Sequence, residues 1–211
     1  MYYIDTTIWF PEPSEADSQG LLAVGGDLSV ERLWLAYQSG IFPWYEKGQP
    51  LLWWSPDPRM VLFPKDLKVS KSLQKQIKKN AFKVTFNTAF DEVIKQCALK
   101  KRVGQDGTWI TDEMIAAYIE LFERGDIISV EVWLDNELVG GLYGVNLRTQ
   151  RVFCGESMFS AKTDASKIGF YFLVNKLLAD GYKLIDCQMY TAHLASLGAL
   201  EIPRKEFLKY L

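Results

Sequence analysis

The sequence lacks the features of a membrane or secreted protein. No apolar run approaches the length that spans a bilayer, and residues 1–20 carry acids and prolines instead of a basic and then apolar secretory signal. Cysteine is scarce, and the three cysteines have neither an even number nor the spacing of metal ligands. We therefore expect a cytoplasmic protein with reduced, buried thiols.

An overall excess of one charge is also lacking. The chain has 24 basic and 26 acidic residues, and its net charge of −2 argues against a general polyanion binder. Residues 65–83 depart from this average, because seven lysines stand there against the single acid Asp66, a local charge of +6. This segment is the strongest charge asymmetry in the sequence.

Five of these lysines predict one basic side of a helix. They recur at intervals of three and four residues and are Lys68, Lys71, Lys75, Lys78 and Lys79. Leu73 and Ile77 fall on the opposite side of such a helix and would face the protein. A helix side of one charge favours a phosphate backbone as partner, but a purely solubilising surface would carry the same lysines. The spacing alone leaves both interpretations open.

The chain divides into two regions of different composition. Residues 1–61 are rich in turn signals, prolines and tryptophans around one predicted helix, and we assign them to a small N-terminal domain. Residues 62–211, the second predicted domain, alternate helical and strand patterns. Antiparallel strands, then a helix, then another strand is the order of the acyl-CoA N-acyltransferase (GNAT-like) fold. The predicted fold class is α+β, with a small N-terminal domain plus a GNAT-like mixed-sheet domain.

The loop that binds the pyrophosphate of acetyl-CoA in that fold is missing from the sequence. DASK occupies residues 164–167, where the glycines of the loop should stand between strand and helix. We therefore expect an acyl donor other than acetyl-CoA.

Polar residues interrupt two strands that are otherwise apolar. In KLIDCQMY, residues 183–190, Asp186 and Gln188 share one face of the predicted strand. Strict alternation along VFCGESMF puts four residues on one face: Val152, Cys154, Glu156 and Met158. Because an unpartnered buried carboxylate or amide is costly, each face is either a satisfied polar network in the core or the wall of a cleft.

Several segments together carry a resemblance to one known family. In chain order they are GLLAVGGDLSVERLWLAYQSGIFPW, LLWWSPDPR, GTWIT, EVWLDNELVGGLYGV, FCGESMFS, DASK and LIDCQMYTAHLASLGALEIPR. They resemble the leucyl/phenylalanyl-tRNA–protein transferases from about residue 20 to the end, and strings such as WWSPDPR make the match specific. The resemblance implies transfer of Leu or Phe, with Met as a further candidate donor, from aminoacyl-tRNA to proteins with N-terminal Arg or Lys.

The resemblance carries further expectations about partners. The transferred residue would mark the acceptor protein for degradation through the N-degron pathway. Neither a metal nor another cofactor is implied, and we expect a monomer that does not bind membranes.

Three residues are the candidate catalytic groups. The α-amino group that attacks the aminoacyl ester has a pKa of about 7.7–8.0, so the site needs to hold the reactants, accept a proton and stabilise an oxyanion more than it needs a strong base. Following the resemblance, we expect Asp186 to orient Gln188 and to receive the proton directly or through water. Gln188 would position the amine or the ester carbonyl. Glu156 would complete this network or pair with the acceptor's Arg or Lys, and His193 is a candidate for a supporting role.

Other residues are candidates for substrate binding. An apolar pocket for Leu or Phe would be lined by Leu142, Met158, Phe170, Leu173, Leu177 and Ile185. Trp44 and Trp109 match family positions that stack on the terminal adenosine of the tRNA. The acceptor stem would be held through its phosphates by Lys68, Lys71, Lys75, Lys78, Lys79 and Lys83.

Two alternatives to the transferase stay open at the level of sequence. An N-acetyltransferase with an atypical CoA site would be stabilised by acetyl-CoA. A non-catalytic tRNA-binding module would bind RNA without Asp186 and Gln188 and would yield no product. The sequence also leaves open the ranking of Leu, Phe and Met as donors, the choice between Asp186 and water as proton acceptor, and the role of Glu156.

Overall fold

The computed structural model describes residues 1–100 and 110–211. The strands in these residues are β1 (Tyr2–Ile4), β2 (Leu21–Gly25), β3 (Phe42–Pro43), β4 (Leu52–Trp54), β5 (Arg59–Leu62), β6 (Lys83–Phe86), β7 (Ile127–Leu134), β8 (Glu137–Leu147), β9 (Val152–Ser160), β10 (Leu184–Gln188) and β11 (Leu200–Ile202). The α-helices are α1 (Val30–Gln38), α2 (Lys71–Lys79), α3 (Phe90–Leu99), α4 (Asp112–Glu123), α5 (Ala165–Ala179), α6 (Ala192–Ser196) and α7 (Arg204–Phe207). Short 3₁₀ helices cover Pro13–Glu15, Pro64–Asp66 and Leu208–Tyr210.

A four-stranded sheet and α1 form the N-terminal part of the fold. Its strand order is β1-β2-β4-β3, with β1 parallel to β2 and the other pairs antiparallel. Leu33, Ala36 and Tyr37 of α1 are buried, and the fully buried Trp53 of β4 donates its indole N–H to the carbonyl of Gly25 at 2.9 Å. This indole satisfies its one polar group inside the small core, which fixes β4 against β2.

A mixed seven-stranded sheet forms the larger part of the fold. Its order is β11-β5-β10-β9-β8-β7-β6, and β10 is parallel to β9 while the other neighbouring strands are antiparallel. Helix α5 connects β9 to β10, as a crossover between parallel strands requires. The α+β class and the predicted order, antiparallel strands followed by a helix and a parallel strand, are confirmed.

The predicted domain boundary between residues 61 and 62 falls inside β5. This strand, Arg59–Leu62, pairs with β10 and β11 and therefore belongs to the seven-stranded sheet. The division into two domains stays a prediction.

Hydrophobic side chains cover both faces of the larger sheet. On one face α3 and α4 contribute Phe90, Val93 and Met114 to a core that continues into the N-terminal part. On the other face α5 contributes Phe170 and Leu173. Side chains of the inner strands alternate between these two cores, whereas the edge strands β6 and β11 have no fully buried residue.

A bulge in β9 changes this alternation at Glu156. Tyr143 of β8 lies opposite Ser157, whereas Gly144 lies opposite Gly155, so Glu156 is the extra residue. A side chain at Gly144 would collide with the carbonyl of Cys154, so this close approach depends on glycine.

The bulge overturns the prediction that Val152, Cys154, Glu156 and Met158 share one face. Val152 and Cys154 belong to the core under α3 and α4, whereas Met158 packs with Phe153 in the core under α5. An extra residue shifts the period of two by one position, so every side chain after it changes sides.

A second bulge lies in β10, the neighbour of β9. Asp186 lies opposite Val61 and Gln188 opposite Met60, which leaves Cys187 as the extra residue. Gln188 takes a left-handed backbone conformation, with φ of +63°. Such a conformation is uncommon for a residue with a side chain and is held here by the surrounding sheet.

The basic helix α2 has the predicted amphipathic arrangement, with a correction at its start. Leu73 is buried and Lys71, Lys75, Lys78 and Lys79 are exposed. The helix begins after Ser70, whose hydroxyl accepts a hydrogen bond from the backbone N–H of Leu73 at 3.2 Å. Lys68 therefore precedes the helix and Lys83 lies in β6, so these two lysines do not belong to the helical row.

Within residues 1–100 and 110–211, no helix combines the length and the hydropathy that crossing a membrane requires.

A buried ion pair joins β5 to β10. Arg59 donates from Nε and Nη2 to the two carboxylate oxygens of Asp186 at 2.8 and 2.7 Å, and both side chains are 1% exposed. The third guanidinium nitrogen, Nη1, donates to the carbonyl of Gly40 at 3.0 Å. The guanidinium also lies over the rings of Phe42 in β3 and Phe207 in α7, at 4.9 and 4.6 Å from their centroids. One arginine thus connects both sheets and the C-terminal helix.

We expect Arg59→Met to lower the free energy of unfolding by about 3–5 kcal/mol, because it leaves the carboxylate of Asp186 buried without its counter-charge. Denaturant unfolding followed by circular dichroism measures this loss. The control is Arg124→Met, which removes a solvent-exposed ion pair of 3.2 Å to Asp126 and should cost less than about 1 kcal/mol. Equal losses of unfolding free energy in the two variants would show that the buried pair stabilises the fold no more than the pair of Arg124 and Asp126 does.

Candidate active site

A cavity of about 440 Å³ opens where the bulges of β9 and β10 lie side by side. Its wall is formed by Lys100, Leu142, Tyr143, Phe153, Gly155, Glu156, Ser157, Met158, Ser166, Phe170, Ile185, Asp186, Cys187, Thr191, His193 and Leu194. The volume lies within the range of small-molecule sites, and the wall combines apolar side chains with a few polar ones.

Glu156 is the centre of a hydrogen-bond network at this cavity. Its Oε1 accepts from the side-chain amide of Gln188 at 2.8 Å, and its Oε2 accepts from the hydroxyl of Tyr118 at 3.0 Å. The hydroxyl of Tyr118 in turn shares a short hydrogen bond with that of Tyr37. Because Tyr37 belongs to α1, the network extends from β9 to the N-terminal part of the fold.

The environment of Glu156 changes its acidity. Burial raises the pKa of its carboxyl to about 7, and the negative charge of Asp186 adds a smaller rise. Hydrogen bonds from the hydroxyls of Tyr37 and Tyr118 and from the amide of Gln188 act in the opposite direction, because they favour the charged carboxylate. Burial also raises the pKa of both tyrosines well above its ordinary value, so they stay protonated and can donate. Glu156 can therefore take up or release a proton near neutral pH.

Asp186 has a different environment on the neighbouring strand. Arg59 binds both of its oxygens, and Oδ1 also accepts the backbone N–H of Gln188 at 2.9 Å. The carboxylate thus holds the backbone of Gln188 in its left-handed conformation, which directs the Gln188 amide to Glu156. The structure brings together the three predicted catalytic residues, because Gln188 bonds to Asp186 through its backbone and to Glu156 through its side chain. Arg59 is a further partner of Asp186, and Tyr118 and Tyr37 extend the network from Glu156.

Four of the six predicted pocket residues line the cavity: Leu142, Met158, Phe170 and Ile185. Leu173 and Leu177 do not. Both are fully buried on α5, in the same core as Phe170 and Ile185. Of these four residues, Phe170 and Ile185 line the cavity. The family positions and the helix beside the strands predicted Leu173 and Leu177 at the pocket, whereas the structure places both on the core face of α5.

The predicted adenosine-stacking residues lie apart from this wall or outside the described residues. Trp44 is half-buried and packs against Trp54 at a centroid distance of 5.6 Å, and its carbonyl accepts the Trp54 indole N–H at 2.7 Å. It is not among the residues that line the cavity. Trp109 lies outside residues 1–100 and 110–211.

Several residues of the site were missed by the sequence reasoning. Arg59 stands directly before the apolar run MVLF, and a cation there needs a buried acid, just as Asp186 in an apolar strand needs a buried cation. Those two needs could have identified the pair. Tyr118 and Tyr37 carry no comparable signal, because a tyrosine in a helix is common in any core.

His193 and Lys100 also belong to the cavity wall. His193 had been predicted only as a supporting residue. Partial burial, followed by the charges of Lys167 and Lys100, lowers the pKa of its imidazole. The ring is thus neutral at neutral pH and retains one N–H to donate.

Comparison with solved structures finds chains of similar fold at low sequence identity. A conserved protein of unknown function from Bacteroides thetaiotaomicron matches with a TM-score of 0.48 at 14% identity, over 73% of this chain and 55% of that one. A GCN5-related N-acetyltransferase from Kribbella flavida matches with a TM-score of 0.39 at 10% identity, over 80% of this chain and 59% of that one.

Comparison of sequences finds much nearer relatives. A leucyl/phenylalanyl-tRNA–protein transferase from Christiangramia forsetii is 57% identical over 211 residues, and the alignment spans 100% of this chain and 100% of that protein. Proteins of the same name from Flavobacterium johnsoniae and Syntrophobacter fumaroxidans are also 57% identical, over 100% and 96% of this chain and 99% and 86% of their own lengths.

Two family models match the chain in separate regions. The model described as leucyl/phenylalanyl-tRNA protein transferase N-terminal domain matches residues 26–57, and the one described as leucyl/phenylalanyl-tRNA protein transferase matches residues 61–211. With relatives aligned over the whole chain and a site that joins an apolar cavity to a carboxylate network, the chain belongs to the leucyl/phenylalanyl-tRNA–protein transferase family and is an aminoacyltransferase.

Proposed function

We propose that the protein transfers Leu or Phe, and Met as a further candidate, from aminoacyl-tRNA to the α-amino group of proteins that begin with Arg or Lys. The observation that carries this proposal is the cavity beside the two bulges. There an apolar wall suited to an aliphatic or aromatic side chain meets a carboxylate that titrates near neutral pH. The names of the relatives support aminoacyl-tRNA and protein as the two substrates.

The proposal includes the cellular role that follows from this reaction. The added residue would mark the acceptor for degradation through the N-degron pathway, and the enzyme would act as a cytoplasmic monomer. Family membership favours the transferase over an N-acetyltransferase with an atypical CoA site and over a non-catalytic tRNA-binding module.

The proposed reaction forms one bond and breaks one. The nitrogen of the acceptor's α-amino group attacks the carbonyl carbon of the aminoacyl ester, and the bond from that carbon to the ribose oxygen breaks. The amine loses a proton and the ribose oxygen gains one, so no oxidant or reductant is needed. A single group that takes the proton from nitrogen and returns it to oxygen meets this requirement.

Glu156 is the proton acceptor in this proposal. A carboxyl with a pKa of about 7 lies close to the amine's pKa of about 7.7–8.0, so transfer between them is nearly balanced. Asp186 is less suited, because Arg59 occupies both of its oxygens and holds it as a buried ion pair. The proton transfer that the sequence suggested for Asp186 is thus reassigned to Glu156, and Asp186 acts by positioning Gln188.

The remaining side chains divide between the two substrates. The donor's side chain would contact Leu142, Met158, Phe170 and Ile185, and the flexible thioether of Met158 would adapt to Leu or Phe. The Gln188 amide would orient the amine or the ester carbonyl. Trp44 and Trp109 are kept as stacking residues for the terminal adenosine, and the lysines of α2 as contacts to the acceptor stem.

Labelling of matched peptides tests the function itself. Wild-type protein incubated with radiolabelled Leu-tRNA should label a peptide that begins with Arg and leave a matched peptide that begins with Ala unlabelled. Gln188→Ala should lower this labelling by about 10²-fold or more, because Glu156 and the reactants lose their positioning amide. Gln96→Ala, an exposed glutamine on α3, should label as wild type does. No label in either peptide with the wild type would contradict the proposal.

The pH dependence of transfer tests Glu156 as the base. Only the unprotonated carboxylate accepts a proton, so the rate should rise with pH through about 7 and again through the pKa of the amine. Glu156→Gln should lower kcat by about 10²–10⁴-fold and remove the increase in rate near pH 7. Only the increase in rate at the pKa of the amine should remain. Glu123→Gln, an exposed change at the end of α4, should keep both rises. A rise near pH 7 that persists in Glu156→Gln would assign it to another group.

Salt dependence tests the lysines of α2. The logarithm of the association constant for Leu-tRNA falls linearly with the logarithm of salt concentration, by about 0.7–0.9 for each phosphate contact. Changing Lys71, Lys75, Lys78 and Lys79 together to Gln should therefore make this negative slope shallower by about 3. Transfer from leucyl-adenosine, which has no acceptor stem, should be unchanged. The matched control changes four other exposed lysines, namely Lys95, Lys176, Lys183 and Lys205. An equal loss of slope in the control would indicate a general charge effect.

A further inference from the structure

Basic side chains from three different segments lie at the cavity wall or directly beside a residue that lines it. Lys100 follows α3, Lys167 lies in the first turn of α5, and His193 lies on α6. Lys100 and His193 line the cavity directly, and Ser166 lines it beside Lys167. The charges of both lysines act on the His193 ring and lower the pKa of its imidazole.

This group has more positive charge than its acidic neighbours balance. Lys167 pairs with Asp164 at 3.0 Å. Lys100 donates to the backbone carbonyl of Met158 at a long 3.4 Å and takes part in none of the ion pairs of residues 1–100 and 110–211. One lysine charge at the wall therefore has only a weak, uncharged partner in the part of the chain that the structure describes.

A phosphodiester is the ligand whose chemistry fits this group. Two ammonium groups and a neutral imidazole N–H are donors that a phosphate oxygen accepts from. A carboxylate-bearing acceptor peptide fits less well, because the acceptor begins with a cationic residue that these lysines would repel. The proposed donor, by contrast, has an anionic linkage directly before its terminal adenosine.

The spacing along β9 agrees with such a ligand. Lys100 donates to the carbonyl of Met158, which lies two residues beyond the bulge at Glu156, and two residues of a strand span at most about 7 Å. This is the scale of one nucleotide's sugar, which separates the reacting ester from the phosphate on its other side. An ester held next to Glu156 would thus place its phosphate near Lys100.

We propose that Lys100, Lys167 and His193 bind the phosphodiester that joins the terminal adenosine of the donor to the preceding nucleotide, and thereby position the aminoacyl ester beside Glu156. This inference rests on the proposed function. Because the same phosphate occurs in every tRNA, the contact positions the donor without reading its sequence. It is separate from the lysines of α2, none of which lines the cavity.

The test compares two forms of Leu-tRNA, one natural and one in which the last phosphodiester is replaced by a neutral methylphosphonate. With the natural donor, Lys100→Met, Lys167→Met and His193→Gln should each lower kcat/KM by about 10- to 100-fold, the range of a lost hydrogen bond to a charged group. With the neutral donor, the wild type and Lys100→Met should be nearly equal, because the contact is already absent. Lys100→Arg should retain most of the activity with the natural donor.

The control is Lys176→Met, which removes an exposed lysine farther along α5 that does not line the cavity. It should behave as wild type with both donors. Thermal unfolding of each variant checks that the substitutions at these partly or fully exposed positions leave the fold intact.

Two results would overturn the inference: no loss in the three variants with the natural donor, or the same fold loss with both donors. Failure of the transferase proposal is distinguishable, because the wild type would then form no product even from natural Leu-tRNA. In that case the same comparison is made on Kd, with a non-reactive amide-linked Leu-tRNA in its natural and neutral forms. Equal Kd values for wild type and Lys100→Met with the natural form would likewise overturn the phosphate contact.

Discussion

The buried pair of Arg59 and Asp186 is the interaction on which the site depends. Two charges in the interior are tolerated only when they are paired and hydrogen-bonded, and here each guanidinium nitrogen has an acceptor. The same pair fixes β5 to β10, touches rings from the small sheet and the C-terminal helix, and holds the backbone of Gln188. The orientation of the Gln188 amide at the cavity therefore depends on how these distant chain segments pack around Arg59.

Two carboxylates on neighbouring strands have different roles because their partners differ. Asp186 has a cation as its partner, whereas the oxygens of Glu156 accept hydrogen bonds from the neutral groups of Tyr118 and Gln188. Burial without a counter-charge moves the pKa of Glu156 to about 7. In the proposed reaction, the buried ion pair of Asp186 would position Gln188, and the carboxyl of Glu156 would exchange the proton. The tyrosine hydroxyls extend this arrangement to α1 in the N-terminal part.

The proposed function assigns the anionic donor to basic side chains in two separate places. Lys100 and Lys167 would contact it at the cavity, and the lysines of α2, none of which lines the cavity, would contact its acceptor stem. The net charge of −2 gives no sign of this separation, since it averages basic and acidic regions. Local placement, and not total charge, sets which ligand each part of the surface attracts.

The sequence by itself determined the α+β order, the amphipathic α2, the family and the three polar strand residues, because these depend on local periodicity and on strings of residues. It could not show the bulges at Glu156 and Cys187, since an extra residue is visible only against the partner strand. For this reason strict alternation predicts the wrong face for Met158. Leu173 and Leu177 depend on helix packing instead, since only the assembled core shows which side of α5 faces the cavity. Only the tertiary structure joined Arg59 to Asp186 across 127 residues of chain, because burial and counter-charge are properties of the assembled core.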